Sequence, residues 1–395
     1  MRSVELFTGA GGLALGLERA GFHHALMVEW DNHAHETVAA NSMRGGPTHA
    51  WPFRHCDVRD MDFLELGGDI DLVAGGPPCQ PFSIGGKHRG PDDPRDMWPQ
   101  TIRAVRELCP KMFLFENVRG LARAAFGDYL RYIVERLRRP TMIARPGEAR
   151  DEHLLRLAKL GVGEGDGPLY RVEVHKINAA NYGAAQNRHR VVIIGARRDL
   201  DIPWTFPAPT HSRPALIWDQ FVTGDYWRRH RMPMSSRPMP SDADWREARR
   251  LDDTFERPSA EAWRTVRDAV IGLPEPTEGV SSYSNHKLQP GARSYVGHTG
   301  SVLDAPAKAL KAGDHGVPGG ENMLRLANGE VRYFTIRESA RLQGFPDDFV
   351  FPGSWSETMR QLGNAVPVPM ATTIGASIAK AVEHLEAAAR TRRAA

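Results

Sequence analysis

Cysteine is scarce in this chain: three among 395 residues, Cys56, Cys79 and Cys109. Their spacing is neither that of a disulfide framework nor that of a zinc site, which excludes a stapled secreted scaffold and a thiolate metal centre. Lysine is scarce too, eight of the 51 basic residues, so positive charge is carried by arginine, whose planar fork suits phosphates and guanine edges. No apolar run is long enough to span a bilayer, and the opening residues lack the hydrophobic stretch of a secretory signal. A soluble cytoplasmic protein is therefore expected. A formal net charge of only +3 does not by itself announce a polyanionic partner. With 41% hydrophobic residues over this length, two domains with a substantial core are expected.

What is present begins with a strand-like run, Val4-Glu5-Leu6-Phe7, then Thr8-Gly9-Ala10-Gly11-Gly12 and an amphipathic helix through Leu13, Leu17 and Ala20, with Gly21 placed to cap it. Strand, glycine turn and helix form the nucleotide-binding opening of a doubly wound sheet, where glycines let the backbone approach a ligand closely. Two further strand-like runs end in acids, Glu29-Trp30 and Asp57 after Cys56. An acid there holds ribose hydroxyls or a purine amino group, and Trp30 offers a stacking face. The turn is GxGG and not GxGxxG, which points away from a dinucleotide and toward S-adenosylmethionine.

A thiol stands at the next strand end. Ile70 to Ala74 reads as a buried strand, followed by Gly75-Gly76-Pro77-Pro78-Cys79. Two prolines stiffen that approach, and a core cysteine would need no such loop. Met112 to Phe115 delivers Glu116-Asn117-Val118 to the same edge, where an apolar setting is expected to raise a carboxyl pKa. Gln186-Asn187-Arg188-His189-Arg190 precedes another strand, and in an extended segment Arg188 and Arg190 share one face.

Together these residues resemble the DNA cytosine-5 methyltransferase family, of the bacterial type II restriction-modification kind. The matching blocks are ELFTGAGG at 5–12, Glu29-Trp30, Asp57, PPCQPFS at 77–83, ENV at 116–118, QNRHR at 186–190, RESARLQGFP at 337–346 and GNAVPVP at 363–369. The resemblance implies an α/β fold: a doubly wound, mostly parallel, Rossmann-like methyltransferase sheet over residues 1–200. A smaller, irregular target-recognition domain is expected at 201–354, and a segment returning to the first domain at 355–395. Ile374, Ile378, Val382 and Leu385, at helical spacing, agree with that return.

By the same resemblance Cys79 adds to carbon 6 of a cytosine, and Glu116, protonated or sharing a proton with ring nitrogen 3, stabilises the charge that builds there. Arg190 contacts the cytosine oxygen and Arg188 the backbone or a neighbouring loop, with the two roles exchangeable. S-Adenosyl-L-methionine, leaving as S-adenosyl-L-homocysteine, would be held by Phe7, Gly9, Ala10, Gly11, Gly12, Glu29, Trp30, Asp57, Val58, Gly75, Pro77, Asn364, Ala365 and Val366. No metal is implied.

Carbon 6 is out of reach inside a stacked duplex, so the base must be flipped out. Residues 84–99 suit closing over it, with Ser83, Ile84, Gly85, Lys87, His88 and Arg89 as expected contacts to double-stranded DNA. In the second domain, Arg228, Arg229, Lys287 and Arg293 are expected to meet DNA, with His286, Tyr295 and His298 near the major groove and the glycine-rich run 308–320 passing close by. A helix is expected from Ala262 to Leu273, with Trp263, Val266, Ala269 and Val270 on one face. The segment 337–346 is expected to brace this domain.

Two other readings keep parts of the pattern: a tRNA cytosine-5 methyltransferase, disfavoured because no cysteine follows Cys109, and a silent DNA-binding relative, disfavoured because Cys79, Glu116 and Arg190 are all present. With the glycine turn at residue 9, no N-terminal DNA-binding extension is expected. A monomer on DNA is expected, with a cognate restriction endonuclease acting on the same site.

Overall fold

The computed structural model describes the chain except residues 46–47, 49, 79–94, 161–166, 280, 297, 313–321 and 395. The first half alternates strands β1 (Arg2–Leu6), β2 (His23–Glu29), β3 (Phe53–His55), β4 (Leu72–Gly75), β5 (Met112–Val118), β6 (Tyr170–Asn178), β7 (Gln186–Asn187) and β8 (His189–Arg197) with helices α1 (Gly12–Arg19), α2 (Asn32–Met43), α3 (Trp98–Leu108), α4 (Gly127–Arg138) and α5 (Arg150–Lys159). Seven strands form one sheet in the order β3-β2-β1-β4-β5-β8-β6. Its first five members run parallel, while β8 lies antiparallel to both β5 and β6. The central strands are near-continuous apolar runs, as strands covered on both faces must be. Val4, Leu6, Val73, Phe113, Phe115 and Ile193 face a core closed by α3 and α4. Leu72, Ala74, Leu114, Val192 and Ile194 face α1 and the chain's last helix.

The second half contributes α6 (Arg213–Ile217), α7 (Asp225–Arg229), α8 (Asp242–Asp252), α9 (Val266–Val270), α10 (Ile336–Gln343), α11 (Trp355–Asn364) and α12 (Val368–Ala394). Its strands are short: β9 (His211–Ser212), β10 (Glu261–Ala262), β11 (Ala307–Lys308), β12 (Met323–Arg325) and β13 (Val331–Tyr333). The helix expected from Ala262 to Leu273 is confined to α9. Thr265 accepts the amide of Asp268, and the Asp268 carboxylate accepts that of Thr265, a capping box that starts the helix only at Val266. Ahead of it, Glu261 and Ala262 pair with β9.

The expected return of the chain is present. Ile374, Ile378 and Val382 on α12 share a core with Leu13 and Leu17 of α1, and Leu385 packs at its margin. The helical run Trp355–Thr391 includes eighteen residues apolar enough for a membrane crossing, contrary to the expectation that no such stretch exists. Two-thirds of that window is buried inside the protein, so its apolar character serves this packing. Phe334, Phe345, Phe349 and Phe351 share a further core with Ala14, Leu15 and Met27. Arg337 of α10 clamps that turn, donating to the carbonyls of Ser284, Pro346 and Phe349. The bracing expected of residues 337–346 is therefore visible in their contacts.

The α1–α12 crossing depends on Gly16. A Cβ there would lie 2.3 Å from Cβ of Ala371 and 2.9 Å from the carbonyl oxygen of Val368. Gly16→Ala is therefore expected to destabilise the fold by about 1–3 kcal/mol through overpacking, read as a lowered midpoint in urea with an unchanged slope.

Candidate active site

The parallel strands bring their carboxyl ends to one edge, and Glu29, Asp57, Pro77 and Glu116 lie at or just after strand ends there. At the end of β1 the chain turns sharply: Phe7 has φ 58°, Gly9 φ 56° and Gly11 φ 89°. The Gly9 amide donates to Glu29 Oε2 at 2.7 Å, and the amides of Trp30 and Asp31 donate to Oε1, each at 2.9 Å. Burial pushes the Glu29 carboxyl up while these three amides pull it down. The β2 acid is thus locked onto the glycine turn, with the Trp30 ring exposed beside it.

The glycines divide by cause. Around Gly9 a side-chain position would meet nothing, so its backbone is open to a ligand. At Gly11 a Cβ would strike the Trp51 ring at 2.5 Å, and at Gly12 the Val366 carbonyl oxygen at 2.4 Å. Gly75 is pressed against the Leu6 carbonyl oxygen in the same way. Packing within the protein requires these three, a correction to the idea that the glycines serve only ligand approach. Ala10 and Val366 are buried, whereas Asn364, two residues before the Gly12 contact at Val366, is exposed. Asp57 stands at the end of β3 as expected, but Arg59 binds both its oxygens and holds its carboxyl below the ordinary range. Val58 is buried in the core, and its carbonyl accepts from Arg103.

At the centre of the edge, Pro77 O accepts from Asn117 Nδ2 at 3.0 Å, so the Pro-Pro step is tied to the end of β5. A Cβ on Gly76 would lie 3.8 Å from Glu116 Oε2. Cys79, three residues farther on, lies outside the described residues, as do Ser83, Ile84, Gly85, Lys87, His88, Arg89 and the run 313–320. The antiparallel register puts Val118 opposite Arg190 and Glu116 opposite Val192. Arg190 can therefore reach diagonally across: its Nε is 2.6 Å from Glu116 Oε1, a mostly buried ion pair without hydrogen-bond alignment.

Arg188 and Arg190, expected on one common face, have different surroundings. Arg188 is fully buried, donating to Leu310 O at 3.1 Å and Gly363 O at 2.7 Å. It occupies the break between β7 and β8, with its amide bound to Asn178 Oδ1. Asn178 was not foreseen; nothing local in the sequence marks it, because its role is set by a residue ten positions away.

Farther along, Arg228 is paired with Asp225, and Arg229 with Asp268 while lying 5.3 Å from the Tyr226 ring centroid. Lys287 and Arg293 are exposed. His286 is not: it is buried between the Thr335 hydroxyl and Pro274 O, which removes it from the expected groove-facing set. Tyr295 and His298 pair in a short antiparallel bridge. Among the described residues, no group of His, Cys, Asp or Glu is arranged to hold a metal ion.

The sequence pattern of C-5 cytosine-specific DNA methylases matches residues 1–140 and 164–380. The chain belongs to that family. It is 33% identical to the type II methyltransferase M.PspPI of Psychrobacter sp. (strain TA137) over 382 residues, 95% of this chain and 78% of that protein. Against M.NgoMIV of Neisseria gonorrhoeae it is 30% identical, covering 96% and 98%. The fold also matches the crystal structure of S. pombe Dnmt2, with a TM-score of 0.54 at 18% identity, covering 98% of this chain and 99% of that one. This methylase is thus an enzyme that methylates cytosine in DNA at carbon 5, in a family that draws its methyl group from S-adenosylmethionine.

Beneath the methylase's glycine turn lies a polar floor. His24 receives the Ser3 hydroxyl on Nδ1 at 2.9 Å and donates from Nε2 to Ala14 O at 3.2 Å, with the Trp51 edge against its ring. Burial, the largest cause, pushes the His24 pKa from 6.5 down to about 4. The folded protein then binds this proton less tightly than the unfolded chain. The contribution is whole above about pH 6.5 and is lost as pH falls toward about 4. Relative to His24→Gln, the wild type should lose about 3 kcal/mol of unfolding free energy across that window. A pH-independent difference in urea denaturation would show that the ring is not held neutral.

Proposed function

We propose that this methylase acts on a flipped-out cytosine in double-stranded DNA through a transient bond between Cys79 and carbon 6, with Glu116 and Arg190 gripping the same ring. The observation that carries this reading is the Glu116–Arg190 pair, 2.6 Å apart, beside the Gly76 step that leads to Cys79. A carboxyl and a guanidinium at one spot offer complementary groups to one edge of cytosine: Glu116 toward ring nitrogen 3 and the amino group, Arg190 toward the carbonyl oxygen.

The Cys79 thiolate adds its electron pair to carbon 6, and the ring electrons move toward carbon 5. Glu116 holds a proton at ring nitrogen 3 and so offsets the charge that accumulates there. The donor, when bound, supplies a methyl on a positively charged sulfur, which carbon 5 takes. Water then removes the carbon 5 proton, the bond to Cys79 breaks, and 5-methylcytosine is released. Arg188, bound to two carbonyls, positions the strand that carries Arg190 and stays off the base.

The donor site fits its residues. Gly9 leaves open backbone, Glu29 is fixed by three amides for a ribose, and Trp30 is exposed for a purine. Phe7, Ala10, Asp57, Pro77, Asn364 and Ala365 complete the assignment. Gly11, Gly12, Gly75, Val58 and Val366 act from behind as packing. We assign catalysis and donor binding to residues 1–200 with 355–395, and target recognition to 201–354, where the exposed Lys287 and Arg293 are DNA contacts. The enzyme works as a monomer in the cytoplasm and serves as the modification half of a restriction system.

A duplex with 5-fluorocytosine at the target should trap a covalent adduct, since fluorine cannot leave as a proton does. Cys79→Ser should form none while binding the donor normally; an adduct in that variant excludes Cys79 as the nucleophile. Trp30→Ala is expected to weaken donor binding by about tenfold, the share of one aromatic contact. An unchanged dissociation constant by calorimetry would place the purine elsewhere.

A further inference from the structure

Residues 141–163 lie outside the stretches that match the family pattern, yet the described ones among them, up to residue 160, pack in an ordered way. His153 of α5 is fully buried, with Nδ1 2.9 Å from the Tyr132 hydroxyl of α4 and Nε2 3.1 Å from Met142 O. Arg156 grips both oxygens of Glu148, at 2.7 and 2.8 Å. These contacts dock α5 on α4 and bring Arg150, in its first turn, 5.4 Å from the ring centroid of Tyr129, a cation–π contact.

Tyr129 is itself a link. Its hydroxyl donates to Asp96 Oδ2, and Asp96 Oδ1 accepts the amide of Trp98 at 3.1 Å. The Trp98 ring, 1% exposed, meets the edge of Phe115 at 6.0 Å, one residue before Glu116. An unbroken path of contacts therefore runs from α5 through α4 to the strand that carries Glu116. Asp96 stands two residues beyond the stretch 79–94. Burial pushes its carboxyl up, while Tyr129, Arg150 and Arg136 favour the charged form, so this hydrogen bond sits where water competes little for it. No step of methyl transfer uses these residues.

We propose that Asp96, Tyr129 and Arg150 form a positioning cluster that fixes where the Cys79-bearing stretch rejoins the fold. Through it, the segment outside the family pattern acts on the transfer reaction. Holding Asp96 in place fixes the described residues that follow Cys79 in the chain, and correct placement of reacting groups raises the rate of their reaction. The inference rests on the reading of Cys79 as nucleophile.

The test is the rate of adduct formation on the 5-fluorocytosine duplex, followed by rapid quench, in the full-length enzyme. Tyr129→Phe removes the hydroxyl but keeps the ring. It should slow the adduct about tenfold while the dissociation constants for donor and duplex and the melting temperature stay as in wild type. Asp96→Asn keeps an acceptor for Tyr129 and should stay within about threefold of wild type, and Arg150→Ala should fall about threefold. A wild-type rate in Tyr129→Phe overturns the cluster, as does a slowed rate matched by a lower melting temperature. If Tyr129→Phe does not fold, Arg150→Ala decides: an unchanged rate overturns the proposal. Absence of any adduct in the wild type removes the Cys79 reading first, and the cluster with it.

Discussion

The buried guanidinium of Arg188 is the constraint on which the candidate site depends. It reaches Leu310 O in the recognition half and Gly363 O at the end of α11, while its own backbone leads into β8. One side chain therefore joins three distant parts of the chain at the sheet edge. A buried cation is costly unless its donors are satisfied, so its carbonyl partners have little freedom to move away. Two residues farther on, Arg190 uses the rigidity of that strand to stand against Glu116. The parallel pairing of β11 with β7 holds the same junction from the other side.

The methyl-donor side of the edge follows a related logic. Glu29 does not wait as a free carboxylate; three backbone amides already orient it. That preorganisation removes part of the ordering cost from ligand binding. The glycine turn is held from below by His24 and Trp51 and from behind by Val366, and α12 packs close enough on α1 to require Gly16. The last helix thereby becomes a wall behind the glycine turn proposed to hold the donor, although it is more than 350 residues from that turn in sequence.

The recognition half is built differently. Its strands are two or three residues long, and its order comes from side-chain clamps such as Arg337 and from ion pairs such as Arg267 with Asp304. A scaffold of caps and clamps leaves much of its surface as loops, which suits the target-recognition role proposed for it.

Much of the fold was legible beforehand because it is written locally. Apolar runs of strand length, a glycine turn and acids at successive strand ends place β1, β2, β4, β5 and β8 and the edge where Glu29, Asp57 and Glu116 gather. The family blocks, spaced along nearly the whole chain, assign the chemistry. What only the tertiary structure decided are the fates of residues whose local sequence looks alike. Arg188 is a buried clamp and Arg190 a partner of Glu116; His286 is a core histidine and Lys287 is exposed; Gly9 is open and Gly11 is filled by Trp51. The physical reason is the same in each case: a side chain's burial and partners are set by segments elsewhere in the chain packing against it, and local pattern carries no record of which segment that will be.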